Sequence, residues 1–145
     1  MHINQNAPVV QQNEIFIAAS PVKVWTVLTS INNWTTWHPK IARAKMTGEA
    51  LPGTTFEWKA NGASIKSVLH TVEPYRLLGW SGTTFGGSAI HHWQLEPQGS
   101  GTLVHVGESM EGWLVGLFKK KMNRDLAADM AFWLERLKVT CEGIG

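Results

Sequence analysis

Apolar and polar positions along the chain follow three successive patterns, and the first predicts a strand that leads into a helix. Residues 14–18 alternate as in a short strand, and Ser20 then precedes Pro21 at the start of a helical pattern. Serine is a favoured N-cap, and proline at the first helical position loses no hydrogen bond. Val24 and Leu28 continue at helical spacing, so a helix is predicted from Pro21.

A second short helix is predicted directly afterwards. Trp34 and Trp37 lie three residues apart, and the pattern stops at Pro39. Because proline ends or kinks a helix, this segment has room for one or two turns.

From residue 41 onward, the pattern is typical of strands separated by tight turns. Six apolar segments are divided by Gly, Pro and Asn residues. They are Ile41–Thr47, Thr54–Ala60, Ser64–Val72, Arg76–Gly82, Ser88–Glu96 and Thr102–Glu108. With the strand at residues 14–18 as a seventh, this regular spacing predicts an antiparallel meander.

The end of the chain returns to a helical period. An apolar stripe recurs at intervals of three and four residues through Phe118, Met122, Leu126, Met130, Trp133 and Leu137. We place the charged residues of this segment, Asp125 and Asp129 among them, largely off the stripe. The pattern predicts a helix of about 25 residues that begins before Lys119, ends near Gly143 and lies across one face of the sheet.

This order of elements resembles the START-like (SRPBCC, helix-grip) superfamily, in particular its polyketide cyclase/dehydrase branch. Two later segments add to the resemblance over residues 13–139. Glu73–Trp80 is similar to the acidic-Pro-x-Arg-Leu stretch of the family, and His91–Val104, followed by Glu108 and Gly112, is similar to its paired late strands. The resemblance implies an α+β fold in which a seven-stranded antiparallel sheet wraps around a long C-terminal helix. Two short helices would follow strand 1, and a ligand cavity would lie between sheet and helix.

Length and composition fit one globular domain. The chain has 145 residues, of which 43% are hydrophobic and 17% charged, and it contains eight tryptophans. A domain of this size can bury a core and still hold an internal cavity. We expect an N-terminal tail at residues 1–12, one ligand-binding domain at 13–142 and a C-terminal tail at 143–145.

Charge and cysteine content limit the partners that we expect. A net charge of +2, with one basic run at residues 119–121, argues against nucleic acid and allows at most transient membrane contact. The single cysteine, Cys141, cannot form an internal disulfide, and the sequence shows neither a signal peptide nor a long apolar run. A cytoplasmic location is therefore expected, and a homodimer is compatible with the sequence.

Strand alternation predicts which side chains enter the cavity. In Ser88–Glu96 the more apolar set contains His91 and Trp93, so these face inward and His92 faces solvent. The same argument points Glu108 inward on the next strand. A carboxylate and an imidazole in an apolar cavity could act as an acid–base pair or contact a ligand without chemistry. They could also be satisfied polar groups, or Glu108 could lie at the rim beside water.

Other polar positions are assigned by similar arguments. His70 is expected to face inward with its apolar neighbours. Trp58 is placed inward rather than Glu57, because burying an indole gains more free energy than burying an unpaired acid. His38 is given a structural role beside the short helix. The sequence has no nucleophile elbow, phosphate loop or metal-ligand spacing, so no metal or cofactor is expected.

The segment Gly112–Phe118, which joins the last strand to the long helix, is apolar throughout. It is either the buried first turn of that helix or a gate made flexible by its glycines. In the second interpretation Trp113, Leu114 and Leu117 stand at the mouth of the cavity.

The expected function is binding or carriage of a small, largely hydrophobic molecule such as a polyketide, a lipid or an aromatic compound. The ligand-binding residues would be Trp58, His70, Trp80, His91, Trp93, Glu108, Trp113, Met122, Leu126, Met130 and Trp133. The resemblance implies two alternatives. One is a cofactor-independent polyketide cyclase/dehydratase-like enzyme with Glu108 and His91 as catalytic candidates, and the other is a protein-interaction module like the domain of chaperone activators.

Overall fold

The computed structural model describes residues 2–143 and shows the predicted α+β architecture. The strands are β1 (Val9–Ile17), β2 (Ile41–Met46), β3 (Thr55–Ala60), β4 (Ala63–Glu73), β5 (Leu77–Thr84), β6 (Gly87–Gln98) and β7 (Gly101–Glu111). The helices are α1 (Pro21–Thr29), a 3₁₀ helix (Ile31–Thr36), α2 (Trp113–Leu117) and α3 (Lys119–Cys141).

The seven strands form one antiparallel sheet in the order β1-β7-β6-β5-β4-β3-β2. Strands β2 to β7 are a meander, as the turn spacing predicts. Strand β1 pairs with β7 and thereby joins the start of the chain to the last strand. The predicted seven-stranded sheet with a long C-terminal helix is confirmed.

Strand β1 is longer than the sequence predicts. It begins at Val9, which lies opposite Met110, and it runs to Ile17 opposite Thr102. Residues 9–12 therefore belong to the sheet rather than to the predicted tail. The polar residues that obscured this start are exposed or half-buried at the sheet edge, and backbone pairing holds them in the strand.

The start of α1 follows the capping chemistry of its sequence. The Ser20 hydroxyl accepts a hydrogen bond from the backbone N–H of Lys23 at 3.2 Å. The side chains of Val24, Trp25 and Leu28 are buried against the core, as their spacing predicts. The second short helix also forms at the expected place, as a 3₁₀ helix.

The long helix begins later than predicted. At Phe118 the backbone leaves helical values, with φ −114° and ψ 36°, so α2 and α3 are separate helices. The three lysines at 119–121 consequently form the first turn of α3, contrary to the expectation that the helix begins before them. Its end agrees with the sequence, since Gly143 follows with a φ of 72°.

Most of the scattered tryptophans meet in one core between the sheet and α3. Trp34 is fully buried at the centre of this core, and its indole N–H donates to the carbonyl of Leu28 at 3.0 Å. Its ring centroid lies 5.2 to 5.6 Å from those of Phe56, Trp58, Trp80 and Trp133. Within residues 2–143, no helix combines the length and apolar content needed to cross a bilayer.

Candidate functional site

A cavity of about 280 Å³ lies between the inner face of β3–β7 and helix α3. Most of its walls are apolar and come from Trp58, Ile65, Trp80, Val106, Met110, Met122, Leu126, Met130 and Trp133. At one end the lining residues are exposed, and these are Asn61, Thr83, Thr84, Ser88 and Asp125. Buried side chains, among them Trp80 and Trp133, line the opposite end.

Eight of the eleven predicted binding residues line this cavity. They are Trp58, Trp80, His91, Glu108, Met122, Leu126, Met130 and Trp133. The other three, His70, Trp93 and Trp113, lie elsewhere. For these three residues the prediction of a position in the cavity lining differs from the structure.

His91 and Glu108 form the polar centre of the cavity. They lie directly opposite each other on β6 and β7, and both face inward as strand alternation predicts. The Nδ1 of His91 donates a hydrogen bond to the Glu108 carboxylate. The imidazole is also stacked on Trp80, with ring centroids 4.5 Å apart and planes 3° from parallel. The hydrogen bond fixes the orientation of both side chains, and the stacking on Trp80 further holds the imidazole.

The Nε2 atom of His91 has no hydrogen-bond partner among residues 2–143. An imidazole that donates through Nδ1 has an acceptor lone pair on Nε2 when it is neutral and a second N–H donor there when it is protonated. The His91–Glu108 pair can thus hold or accept a proton inside an apolar enclosure.

Asp129 is a site residue that the sequence analysis missed. It lines the cavity from α3, where the side-chain amide of Asn61 donates to its carboxylate at 3.4 Å. Burial raises the pKa of Asp129, and the nearby negative charge of Glu108 raises it further. The placement of Asp129 off the apolar stripe is wrong. Its spacing of three residues from Leu126 could have revealed its position.

Asp125, one turn earlier on α3, was also placed off the stripe and also lines the cavity, at the exposed end. Unlike Asp129, it has a positively charged partner, because Lys121 Nζ lies 2.5 Å from its carboxylate. This hydrogen bond lowers the pKa of Asp125. The two aspartates on the same face of α3 therefore have opposite electrostatic environments.

The prediction that His70 faces inward is wrong. Its ring lies on the outer face of the sheet beside His92, with centroids 5.4 Å apart, and a Cβ on Gly79 would come within 2.7 Å of its Cε1. On β4 the neighbouring Leu69 faces the core instead. The strict alternation of inward and outward side chains is interrupted by a bulge after Leu69, so Val72 packs against the core as Leu69 does. His70 therefore does not share the inward face of Val72, although alternation suggests that it does.

Trp93 and Trp113 both lie outside the cavity lining, Trp93 because it is buried behind the wall and Trp113 because it is exposed. Trp93 faces inward but is fully buried behind the wall, with its ring centroid 5.3 Å from that of His91. Trp113 is 66% exposed and packs edge to face on Phe85. Neither is among the lining residues of the cavity.

The segment predicted as a buried turn or flexible gate is a separate short helix, α2, and not the buried first turn of the long helix. Trp113, Leu114 and Leu117 do not belong to the cavity lining found in residues 2–143, and Trp113 and Leu117 project into solvent. Gly112 is tightly packed, because a Cβ there would lie 2.4 Å from the carbonyl oxygen of Gly86. Its φ of 132° also favours glycine. Close backbone contact, rather than flexibility, explains this glycine.

The remaining polar assignments agree with the sequence analysis. Trp58 lines the cavity, where its indole N–H donates to the Ser67 hydroxyl at 3.1 Å, and Glu57 is exposed. His38 is buried in the core, with its ring centroid 4.4 Å from that of Trp133. Burial lowers the pKa of His38 to about 4, so this imidazole is neutral at physiological pH.

Comparison with known proteins places the chain in a family. Residues 9–142 match the family described as polyketide cyclase / dehydrase and lipid transport. The chain belongs to this family. A comparison with curated proteins gives no match.

Solved structures show the same fold as this polyketide cyclase/dehydrase family member. A hypothetical protein of Helicobacter pylori has a TM-score of 0.85 at 16% identity, covering 96% of this chain and 91% of its own. TTHA0849 of Thermus thermophilus reaches 0.78 at 15% identity, with 91% and 96% covered. StfQ, a di-domain ARO/CYC of the steffimycin biosynthetic pathway, reaches 0.78 at 18% identity, and the match covers 92% of this chain but 50% of StfQ.

Family membership and geometry together describe the chemistry available at the site. Among the described residues, no group of three or more His, Cys, Asp or Glu side chains is placed to hold a metal ion. The polar groups among the described lining side chains are instead three carboxylates, one imidazole, four hydroxyls and one amide, besides the indoles. Such groups can orient a ligand by hydrogen bonds and can transfer protons.

Proposed function

We propose that the protein binds or carries a small, largely apolar molecule in the cavity between the sheet and α3. The observation that supports this most directly is the cavity itself, whose walls of tryptophan, methionine and aliphatic side chains enclose about 280 Å³. Ligand pockets are concave and mostly apolar, with a few polar groups that fix orientation. Here Glu108, His91 and Asp129 would supply that orientation.

Affinity would come mainly from apolar surface removed from water, at about 25 cal/mol per Å². The volume lies near the low end of the range of about 300–1,000 Å³ for small-molecule pockets, so the ligand is small. Three methionines in the lining, Met110, Met122 and Met130, give walls that adapt to different shapes. The proposed binder therefore tolerates some variation in the apolar body of its ligand.

A cavity-filling variant tests this function. Ala89 lines the cavity, whereas its neighbour Ile90 points to the opposite face of β6. We expect N-phenyl-1-naphthylamine, a neutral fluorescent probe, to bind the wild-type protein and the Ile90→Phe variant with similar affinity. The Ala89→Phe variant should lose most of this binding while it keeps a cooperative thermal transition. Equal binding by both variants, or none by the wild type, would overturn the proposal.

A second candidate is a cofactor-independent polyketide cyclase/dehydratase activity, supported by the buried His91–Glu108 pair. In such a reaction a base takes a proton from the carbon between two ketones, that carbon attacks a second carbonyl, and the carbonyl oxygen gains a proton. A synthetic poly-β-keto thioester is the test substrate. We expect Glu108→Gln to bind it as the wild type does but to give no cyclised or dehydrated product by mass spectrometry. Equal turnover in the variant would eliminate this candidate.

A further inference from the structure

The charged side chains that line the cavity all carry acidic groups. They are Glu108 from β7 and Asp125 and Asp129 from α3. Among the described lining residues there is no lysine or arginine, and His91 is the remaining titratable group. Basic groups act on these acids from outside the lining, because Lys121 pairs with Asp125 and the charge of Lys40 opposes the raised pKa of Asp129.

Two of these acids face the cavity from opposite walls, Glu108 from the sheet and Asp129 from α3. Glu108 is 17% exposed and pairs with His91, whereas Asp129 has only the Asn61 amide at 3.4 Å. Like charges that share an apolar space repel each other, and here Glu108 raises the pKa of Asp129. A positive charge between them would relieve this repulsion, whereas a negative charge would add to it.

The cavity wall also contains three indole rings, although the His91 imidazole covers one face of Trp80. Trp58 packs edge to face on both Trp80 and Trp133, with ring centroids 6.4 and 6.2 Å apart, and all three line the cavity. The faces of aromatic rings attract cations through their quadrupole, and tryptophan does so most strongly. Carboxylates and indoles in one small enclosure favour the same kind of ligand.

We propose, on the basis of the function above, that the ligand is an amine: a cationic ammonium group on a compact apolar, ring-containing body. The ammonium group lies between Glu108 and Asp129, and the apolar body packs against the tryptophan and methionine walls. Fatty acids and other anionic amphiphiles are disfavoured, because the described lining offers their carboxylate no lysine or arginine and His91 already pairs with Glu108.

Three naphthalene compounds of nearly equal size test the proposal by isothermal titration calorimetry at pH 7.5. They are 2-naphthylmethylamine, which is a cation, 2-naphthalenemethanol, which is neutral, and 2-naphthoate, which is an anion. We expect the amine to bind about tenfold tighter than the alcohol, since hydrogen bonds to charged groups are the stronger ones, and the carboxylate to bind weakest.

Charge-removing variants locate the effect. Asp129→Asn and Glu108→Gln should each weaken binding of the amine about tenfold, and clearly more than they weaken binding of the alcohol, so that the advantage of the amine shrinks. Glu57→Gln removes the same charge from the exposed outer face and should change neither affinity. Binding of the alcohol also shows that each variant is folded.

The possible failures are distinguishable. If N-phenyl-1-naphthylamine binds but the amine has no advantage over the alcohol, the charge preference is overturned and the proposed function stands. An advantage that survives in both Asp129→Asn and Glu108→Gln overturns the placement of the ammonium group. If the neutral probe and all three naphthalene compounds fail to bind, the proposed function falls and this inference falls with it.

Discussion

The imidazole of His91 and the carboxylate of Glu108 lie face to face on adjacent strands, 17 residues apart in the sequence and joined by a hydrogen bond inside the cavity. Both side chains are largely buried, at 9% and 17% exposure. A buried polar group that loses its partner costs about 1–3 kcal/mol. This pair is therefore expected to stabilise the fold as well as to orient a ligand.

The first prediction concerns the stability that this pair provides. Glu108→Ala should lower the free energy of unfolding in urea by about 1–3 kcal/mol, because the Nδ1 of His91 loses its acceptor. The exposed pair of Glu96 and His105, 3.1 Å apart on the neighbouring surface, is a matched control. Glu96→Ala should cost less than about 1 kcal/mol. Equal losses in both variants would contradict a special role of the buried pair.

The second prediction concerns His38 and the dependence of stability on pH. Its pKa in the folded protein is about 4, against an ordinary 6.5. As the pH falls, the unfolded chain therefore takes up a proton on His38 at a higher pH than the folded protein does. The stability that neutral His38 contributes is complete above pH 6.5 and is lost as the pH drops towards 4. The difference corresponds to about 3 kcal/mol. His38→Phe keeps an aromatic ring and should reduce this slope.

Urea unfolding at several pH values between 4 and 7 measures the effect of His38. Part of the slope should remain in His38→Phe, because burial also lowers the pKa of His70. A wild-type slope in His38→Phe would show that this histidine is not the group that titrates.

The third prediction concerns the acid on α3. The pKa of Asp129 is raised by burial and by Glu108, and this outweighs the opposing effects of Asn61, Lys40 and His91. The folded state then holds its proton more tightly than the unfolded chain, so this group lowers stability as the pH rises through its raised pKa. Asp129→Asn should therefore be more stable than the wild type at pH 7.

The gain in Asp129→Asn should vanish below the ordinary pKa of an aspartate, where both states are protonated. Asp125→Asn is the control on the same helix, because Lys121 lowers the pKa of Asp125 instead. This substitution should give no gain at pH 7. Thermal unfolding at pH 3 and pH 7 distinguishes the two variants, and a stabilised Asp125→Asn with an unchanged Asp129→Asn would reverse the assignment.

The fourth prediction is that alanine substitutions at Gly112 and Gly116 have opposite effects on stability. Gly112 has a φ of 132°, and a Cβ there would strike the backbone of Gly86. Gly112→Ala should lower the free energy of unfolding by about 2 kcal/mol or more. Gly116 lies within α2 with nothing within 4 Å of its missing Cβ, so Gly116→Ala should raise stability by about 0.5–1 kcal/mol. Denaturant curves that shift in the same direction would contradict this contrast.

Much of the fold could be predicted because local chemistry and tertiary structure agree. The Ser20 cap starts α1, and the turn residues divide the meander at nearly the right places. Alternation along β6 correctly orients His91, because its apolar neighbours on the same face are buried. In these segments one buried face determines the pattern.

The errors arise where another force overrides the pattern. The polar start of β1 is held by backbone pairing with β7, which side-chain patterning does not report. The apolar neighbours of His70 suggested an inward face, but the bulge in β4 changes the parity between Leu69 and Val72. Asp129 was overlooked because a charged residue at the border of an apolar stripe is normally solvated, whereas here the stripe borders a cavity.

The exposed lining residues of the cavity gather at its hairpin end, near Asn61 and Thr84, while Trp80 and Trp133 close the far end. In the proposed binder, a ligand would enter and leave at this end of the cavity lined by the described residues, so a second ligand could enter only after the first has left. We therefore expect the rate at which one compound replaces another to follow the dissociation of the first and not to rise with the concentration of the second.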